Sequence, residues 1–82
     1  MIGFDDLAEF FPAMVEARAN QGTAEELQRA LVKDIERLRA EGQIGPLEKA
    51  DEVAFITRTN PPKVSFNDKS PITQRLMMSR RR

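Results

Sequence analysis

The sequence predicts a mainly α-helical fold: a two-helix hairpin with room for a short third helix, then an extended or small β-hairpin basic C-terminal arm. Three observations predict it. Apolar residues recur at helical spacing through the first forty positions, a capping signature separates two helices, and a run of strand composition stands at Val53 to Thr59. The boundaries that follow are an acidic helical hairpin over 1–52 and an extended basic arm over 53–82.

Phe4, Leu7, Phe10, Phe11, Met14 and Val15 lie three and four residues apart, with Asp6, Glu9 and Glu16 off that line. This is the stripe of an amphipathic helix. Asp5 or Asp6 suits its N-terminal end as a cap, and Phe4 as a staple. Pro12 cannot sit unpunished in a helix interior, so either a short turn precedes a helix starting there or one helix kinks. Asn20-Gln21-Gly22 closes the segment, with Gly22 expected in the left-handed C-terminal position.

Thr23-Ala24-Glu25-Glu26 is a capping box, in which Thr23 and Glu26 satisfy each other's backbone donors. Ala24, Leu27, Leu31, Ile35 and Leu38 form the stripe of the second helix, and Gly42 stops it. Glu25 and Glu26 with Arg29, Asp34 with Arg37, and Glu36 with Arg39 read as solvated pairs on the opposite face, each contributing about 0.2–0.5 kcal/mol. The short link Gln21-Gly22 keeps the helices adjacent.

Past Gly42, Gly45-Pro46-Leu47-Glu48-Lys49-Ala50 reads as the start of a short third helix. Val53 to Thr59 has strand composition and Asn60-Pro61-Pro62 must end it; Lys63 to Phe66 is a second extended segment with Val64 and Phe66 on one face. Ser70 before Pro71 launches a last short helix carrying Ile72, Leu76 and Met77.

Net charge is zero, yet 1–52 holds twelve acids and six bases while 53–82 holds one acid, Asp68, and seven bases. Such asymmetry joins an acidic folded part to an arm that seeks an anionic surface. Cys, His, Trp and Tyr are absent, which removes disulfides, thiolate zinc sites and imidazole-based nucleophile pairs. No catalytic residue, metal or cofactor is therefore expected. The carboxylates Asp5, Asp6 and Glu9 are explained by capping, without the glycine-bearing loop of a calcium site. Glu48, Asp51 and Glu52 are read as solvated helix acids. No apolar run can cross a membrane, and the acidic N-terminal residues do not form a secretory signal. The expected location is intracellular and cytoplasmic, or inside a virion or other large assembly.

Gly42-Gln43-Ile44-Gly45 matches a Gly-x-x-Gly nucleic-acid clamp, but a helix stop and a helix start account for both glycines. A helix-turn-helix reading founders on Glu25 and Glu26, which would face phosphates from the head of the recognition helix. Lys63-Val64-Ser65-Phe66, with Asp68 after it, resembles the short motif by which regulatory subunits dock on eukaryotic protein phosphatase 1. The resemblance implies that Val64 and Phe66 fill two apolar pockets while the strand pairs with a sheet edge. A short strand with both side chains turned inward explains the same four residues more economically.

The functional expectation is a non-enzymatic interaction or assembly protein, an adaptor or small structural subunit whose arm docks on a neighbouring chain or on a second copy. Phe10, Phe11, Met14, Val64, Phe66, Leu76 and Met77 are the candidate partner-binding residues. The competing reading is a nucleic-acid accessory protein with Arg58, Lys63, Lys69, Arg75, Arg80, Arg81 and Arg82 on phosphates. A third is a regulator whose acidic helical half mimics an anionic ligand.

Overall fold

A computed structural model of the chain describes residues 2–45 and 49–80. Strand β1 (Ile2–Gly3) leads into two 3₁₀ turns, Phe4–Asp6 and Ala8–Phe10, followed by α1 (Pro12–Ala19) and α2 (Ala24–Ala40). Then come α3 (Ala50–Val53), β2 (Ala54–Ile56), β3 (Val64–Phe66) and α4 (Pro71–Arg80). The fold is mainly helical with a small antiparallel sheet, as the periodicities predict. The expected helix start at Pro46, with Leu47 and Glu48, lies outside the described residues.

Pro12 decides how the first helix begins. It occupies the first position of α1, where its missing N–H costs nothing and its fixed φ is already helical. Residues 4–10 therefore do not continue the helix but form the two tight turns, and Phe11, at φ −129° and ψ 60°, resets the chain direction. That reset corrects the predicted stripe: Phe4, Leu7, Phe11 and Met14 are buried, but Val15 is 39% exposed. Asp6 caps the first turn, accepting from the Gly3 N–H at 2.9 Å.

Helices α1 and α2 both end in Schellman motifs. At the end of α1 the Gly22 N–H donates to the Ala17 carbonyl and the Gln21 N–H to that of Arg18. The left-handed residue is Gln21, at φ 58°, and not Gly22 as expected. Gly22 is required for room instead: a Cβ there would lie 2.9 Å from the Ala17 carbonyl oxygen and 3.3 Å from Glu26 Cβ. At the end of α2 the arrangement follows expectation, with Gly42 at φ 77° and the Gln43 N–H reaching Leu38.

Helix α2 starts on the predicted capping box, with Thr23 Oγ1 accepting from the Glu26 N–H at 3.3 Å and Glu26 Oε1 from the Thr23 N–H at 3.0 Å. The bonds from Thr23 hold the Glu26 carboxyl below its ordinary value. Its stripe of Leu27, Leu31, Ile35 and Leu38 is buried, and α1 packs directly on it.

Asp34 corrects the expectation of a solvated pair with Arg37. It is 2% exposed, and its two carboxylate oxygens accept from the N–H groups of Ala13 and Met14 at 3.1 and 3.0 Å. Phe11, the residue preceding α1, offers no side-chain cap, so α2 supplies one across the interface. Burial pushes the Asp34 carboxyl up, against the pull of the two N–H bonds and of Arg37. Arg37 itself donates to the Phe10 carbonyl at 2.7 Å and to Glu41 at 3.0 Å, so it fastens the second 3₁₀ turn to α2.

The sheet order is β1-β3-β2, antiparallel throughout, with Phe66 opposite Ile2 on one side and Ala54 on the other. Phe66 packs on Phe11 with ring centroids 4.9 Å apart. Val53, Ala54, Phe66, Ile72 and Leu76 share one apolar core with Phe4, Leu7, Phe11, Met14 and, from α2, Leu31, Ile35 and Leu38. The first five of these residues hold the C-terminal segment against the helical hairpin, as two three-residue strands that could not stand alone in water require. Among the described residues no helix is long and apolar enough to cross a membrane.

Candidate interaction surface

The ladder between β2 and β3 determines what β2 offers to the outside. The Thr57 N–H donates to the Lys63 carbonyl and the Asn67 N–H to the Val53 carbonyl, both at 2.9 Å. Backbone groups of an antiparallel strand alternate in direction, so 53, 55 and 57 face β3 and Ala54 and Ile56 face away. The Ala54 N–H is taken by the Ala50 carbonyl at the end of α3. The Ala54 carbonyl and the N–H and carbonyl of Ile56 remain on the outer edge, where the sheet has no further strand among the described residues.

Side chains alternate in the same way. Ala54 is buried and Ile56 packs on the core, whereas Phe55 between them is 56% exposed on the opposite face. That face also carries Gly3 and Ser65 in register with Phe55, neither large enough to cover the ring. Beside the edge lies a groove of about 510 Å³ between Ile56 and Arg58 on one wall and Ala24, Glu25, Gln28 and Arg29 of α2 on the other. Neither charge nor proline interrupts Ala54-Phe55-Ile56, the devices that usually protect an edge from pairing.

A second, larger concavity of about 720 Å³ runs between Phe4, Arg18, Gln21 and the loop at Pro61, Pro62 and Lys63. The Arg18 guanidinium lies 4.8 Å above the Phe4 ring and 3.7 Å from the exposed Asp5 carboxylate. Arg18 and Asp5 are thereby engaged with each other at the rim. Among the described residues no group of acidic side chains is gathered as a metal site would need.

The sequence candidates scatter relative to these surfaces. Phe11, Met14, Phe66 and Leu76 are core residues with at most 3% exposure, so their apolar area is spent within the chain. Phe10, Val64 and Met77 are half-buried against the same core. The strand at Val64–Phe66, expected to add to another protein's sheet or to dock as in the phosphatase motif, is the central strand of its own sheet and has both edges occupied. Arg58, Lys63, Lys69 and Arg75 are all exposed, and Arg75 donates to the Gln43 carbonyl at 2.9 Å. Arg81 and Arg82 lie outside the described residues, as does the side chain of Arg80. Phe55 and the β2 edge are not among the candidate partner-binding residues read from the sequence. Alternation within Val53 to Thr59 could have marked Phe55 as outward once Ala54 and Ile56 were placed inward.

No protein-family model, no curated protein and no solved structure matches the chain.

Proposed function

We propose that the protein is a non-enzymatic interaction module that assembles with protein partners by accepting a strand on the outer edge of β2. The observation that carries this reading is the combination on one short strand of outward backbone groups at Ala54 and Ile56 with an exposed aromatic at Phe55. Strand addition draws affinity from main-chain hydrogen bonds and selectivity from alternate side-chain contacts. Here the bonds would come from the edge, one set of side chains would meet Phe55, and the other would enter the groove against α2. The association surface falls within the C-terminal segment, as the sequence suggests, but on a folded strand and not on a free arm.

The test uses the full chain with a displayed library of extended peptides, followed by amide hydrogen exchange on the retained ones. Retained peptides should slow exchange at Ile56, and Phe55→Lys should abolish retention while leaving the circular dichroism spectrum intact. Protection elsewhere, or retention indifferent to Phe55→Lys, would overturn the reading. The nucleic-acid alternative predicts instead salt-sensitive retention on DNA or RNA, lost on neutralising Arg58, Lys63, Lys69 and Arg75. The acidic-mimic alternative predicts loss of a basic partner on charge reversal at Glu25, Glu26 and Glu36.

A further inference from the structure

We infer that the strand β2 accepts is that of a second copy of this chain, paired antiparallel about a two-fold axis through Phe55. This rests on the reading of β2 as an open edge and names its occupant.

The argument is one of self-complementarity. In a two-fold pairing centred on Phe55, Ala54 of one copy stands opposite Ile56 of the other. The Ile56 N–H then donates to the partner copy's Ala54 carbonyl, and the symmetric bond forms at the same time. The Ala54 N–H is already committed to Ala50, so each Ala54–Ile56 pair makes one of its two main-chain bonds and the Ile56 carbonyls stay with solvent. The two Phe55 rings come directly opposite each other in the closely spaced type of pair, each covering the face the other leaves exposed. Because the axis is normal to the sheet, the two sheets would join as β1-β3-β2-β2-β3-β1 with both helical layers on one side.

Charge fits the same arrangement. Exposed Glu52 precedes β2 and exposed Arg58 follows it. An antiparallel partner brings the residues before β2 in one copy towards those after β2 in the other, so Glu52 meets Arg58 at both ends of the pairing. A parallel pairing would set like against like.

The experiment is the native mass of the full chain by sedimentation over a concentration series reaching the millimolar range. The wild-type mass should rise from 9.3 kDa towards twice that value, and exchange at the Ile56 amide should slow with concentration. Phe55→Lys should remain monomeric, with Phe55→Ser as a second variant should lysine disturb folding. Arg58→Glu should weaken the dimer by roughly 2- to 30-fold through two like-charge contacts, and Glu52→Arg combined with Arg58→Glu should restore it. A monomer at every concentration overturns self-pairing, and if it still takes up peptides at Ile56 the strand-acceptor reading survives. A dimer indifferent to Phe55→Lys and to the charge exchange overturns self-pairing at β2, and the strand-acceptor reading falls with it if peptide uptake at Ile56 is also absent.

Discussion

The Asp34 carboxylate accepts the Met14 N–H at 3.0 Å, which makes a residue of the second helix the N-terminal cap of the first. With the companion bond to Ala13, one buried side chain satisfies two of the donors that α1 leaves open. Truncation strands both donors and opens a void, so Asp34→Ala should cost about 2 to 4 kcal/mol by urea unfolding. Asp34→Asn keeps one acceptor and removes the buried charge, and should cost less than the alanine variant.

The same carboxylate sets a pH signature. Burial raises its pKa in the folded state above the 3.8 of the free side chain. Between 3.8 and that raised value the folded state binds more protons than the unfolded one, so stability from this group increases as pH falls through the folded pKa. Glu26 works in the opposite sense: its bonds from Thr23 depress its pKa below 4.5, and its contribution, present above 4.5, is lost as pH falls through the depressed value. The free energy of unfolding of wild type minus Asp34→Asn, measured across this acid range, should rise as pH falls. A flat or falling difference would contradict the burial of a charged Asp34.

Thr73 is fully buried on α4, and its hydroxyl has no hydrogen-bond partner among the described residues. A valine replaces that hydroxyl with a methyl at nearly the same volume. Thr73→Val should therefore stabilise the chain by about 1 kcal/mol in thermal or urea unfolding. Destabilisation would mean that the hydroxyl is bonded in solution.

Legibility followed the range of the interactions. The capping box at Thr23 and Glu26 and the stop at Gly42 are set by residues within one turn, and both stand where the sequence puts them. The inward turn of Phe66 also follows from alternation alone. Asp34 depends on contact between helices; its position seven residues after Leu27, between Leu31 and Leu38, placed it on the apolar stripe, but salt-pair spacing to Arg37 suggested the surface. The candidate surface depends on longer range still. Which strand is central is decided by β1, two residues with no periodicity of their own, which pair with β3 across more than sixty positions of sequence. Without β1, β3 reads as free to pair elsewhere; with it, the open edge moves to β2.

The corner between α1 and α2 offers the sharpest local test, because neighbouring residues should respond in opposite directions. Gln21 holds a left-handed φ of 58°, a conformation that costs a side chain about 1 to 2 kcal/mol and that glycine adopts freely. Part of that gain is offset by the greater unfolded-state freedom of glycine, which leaves Gln21→Gly stabilising by about 0.5 to 1 kcal/mol. At Gly22 the backbone conformation is ordinary but the space is not. Its N–H lies 2.8 Å from the Ala17 carbonyl oxygen, and an added Cβ would meet that same oxygen at 2.9 Å. Gly22→Ala must push the α1 terminus away from the start of α2 or break the Schellman bond, and should cost about 1 to 3 kcal/mol. Urea unfolding of the two single variants checks both signs, and a stabilising Gly22→Ala would show that the corner is looser than its hydrogen bonds imply.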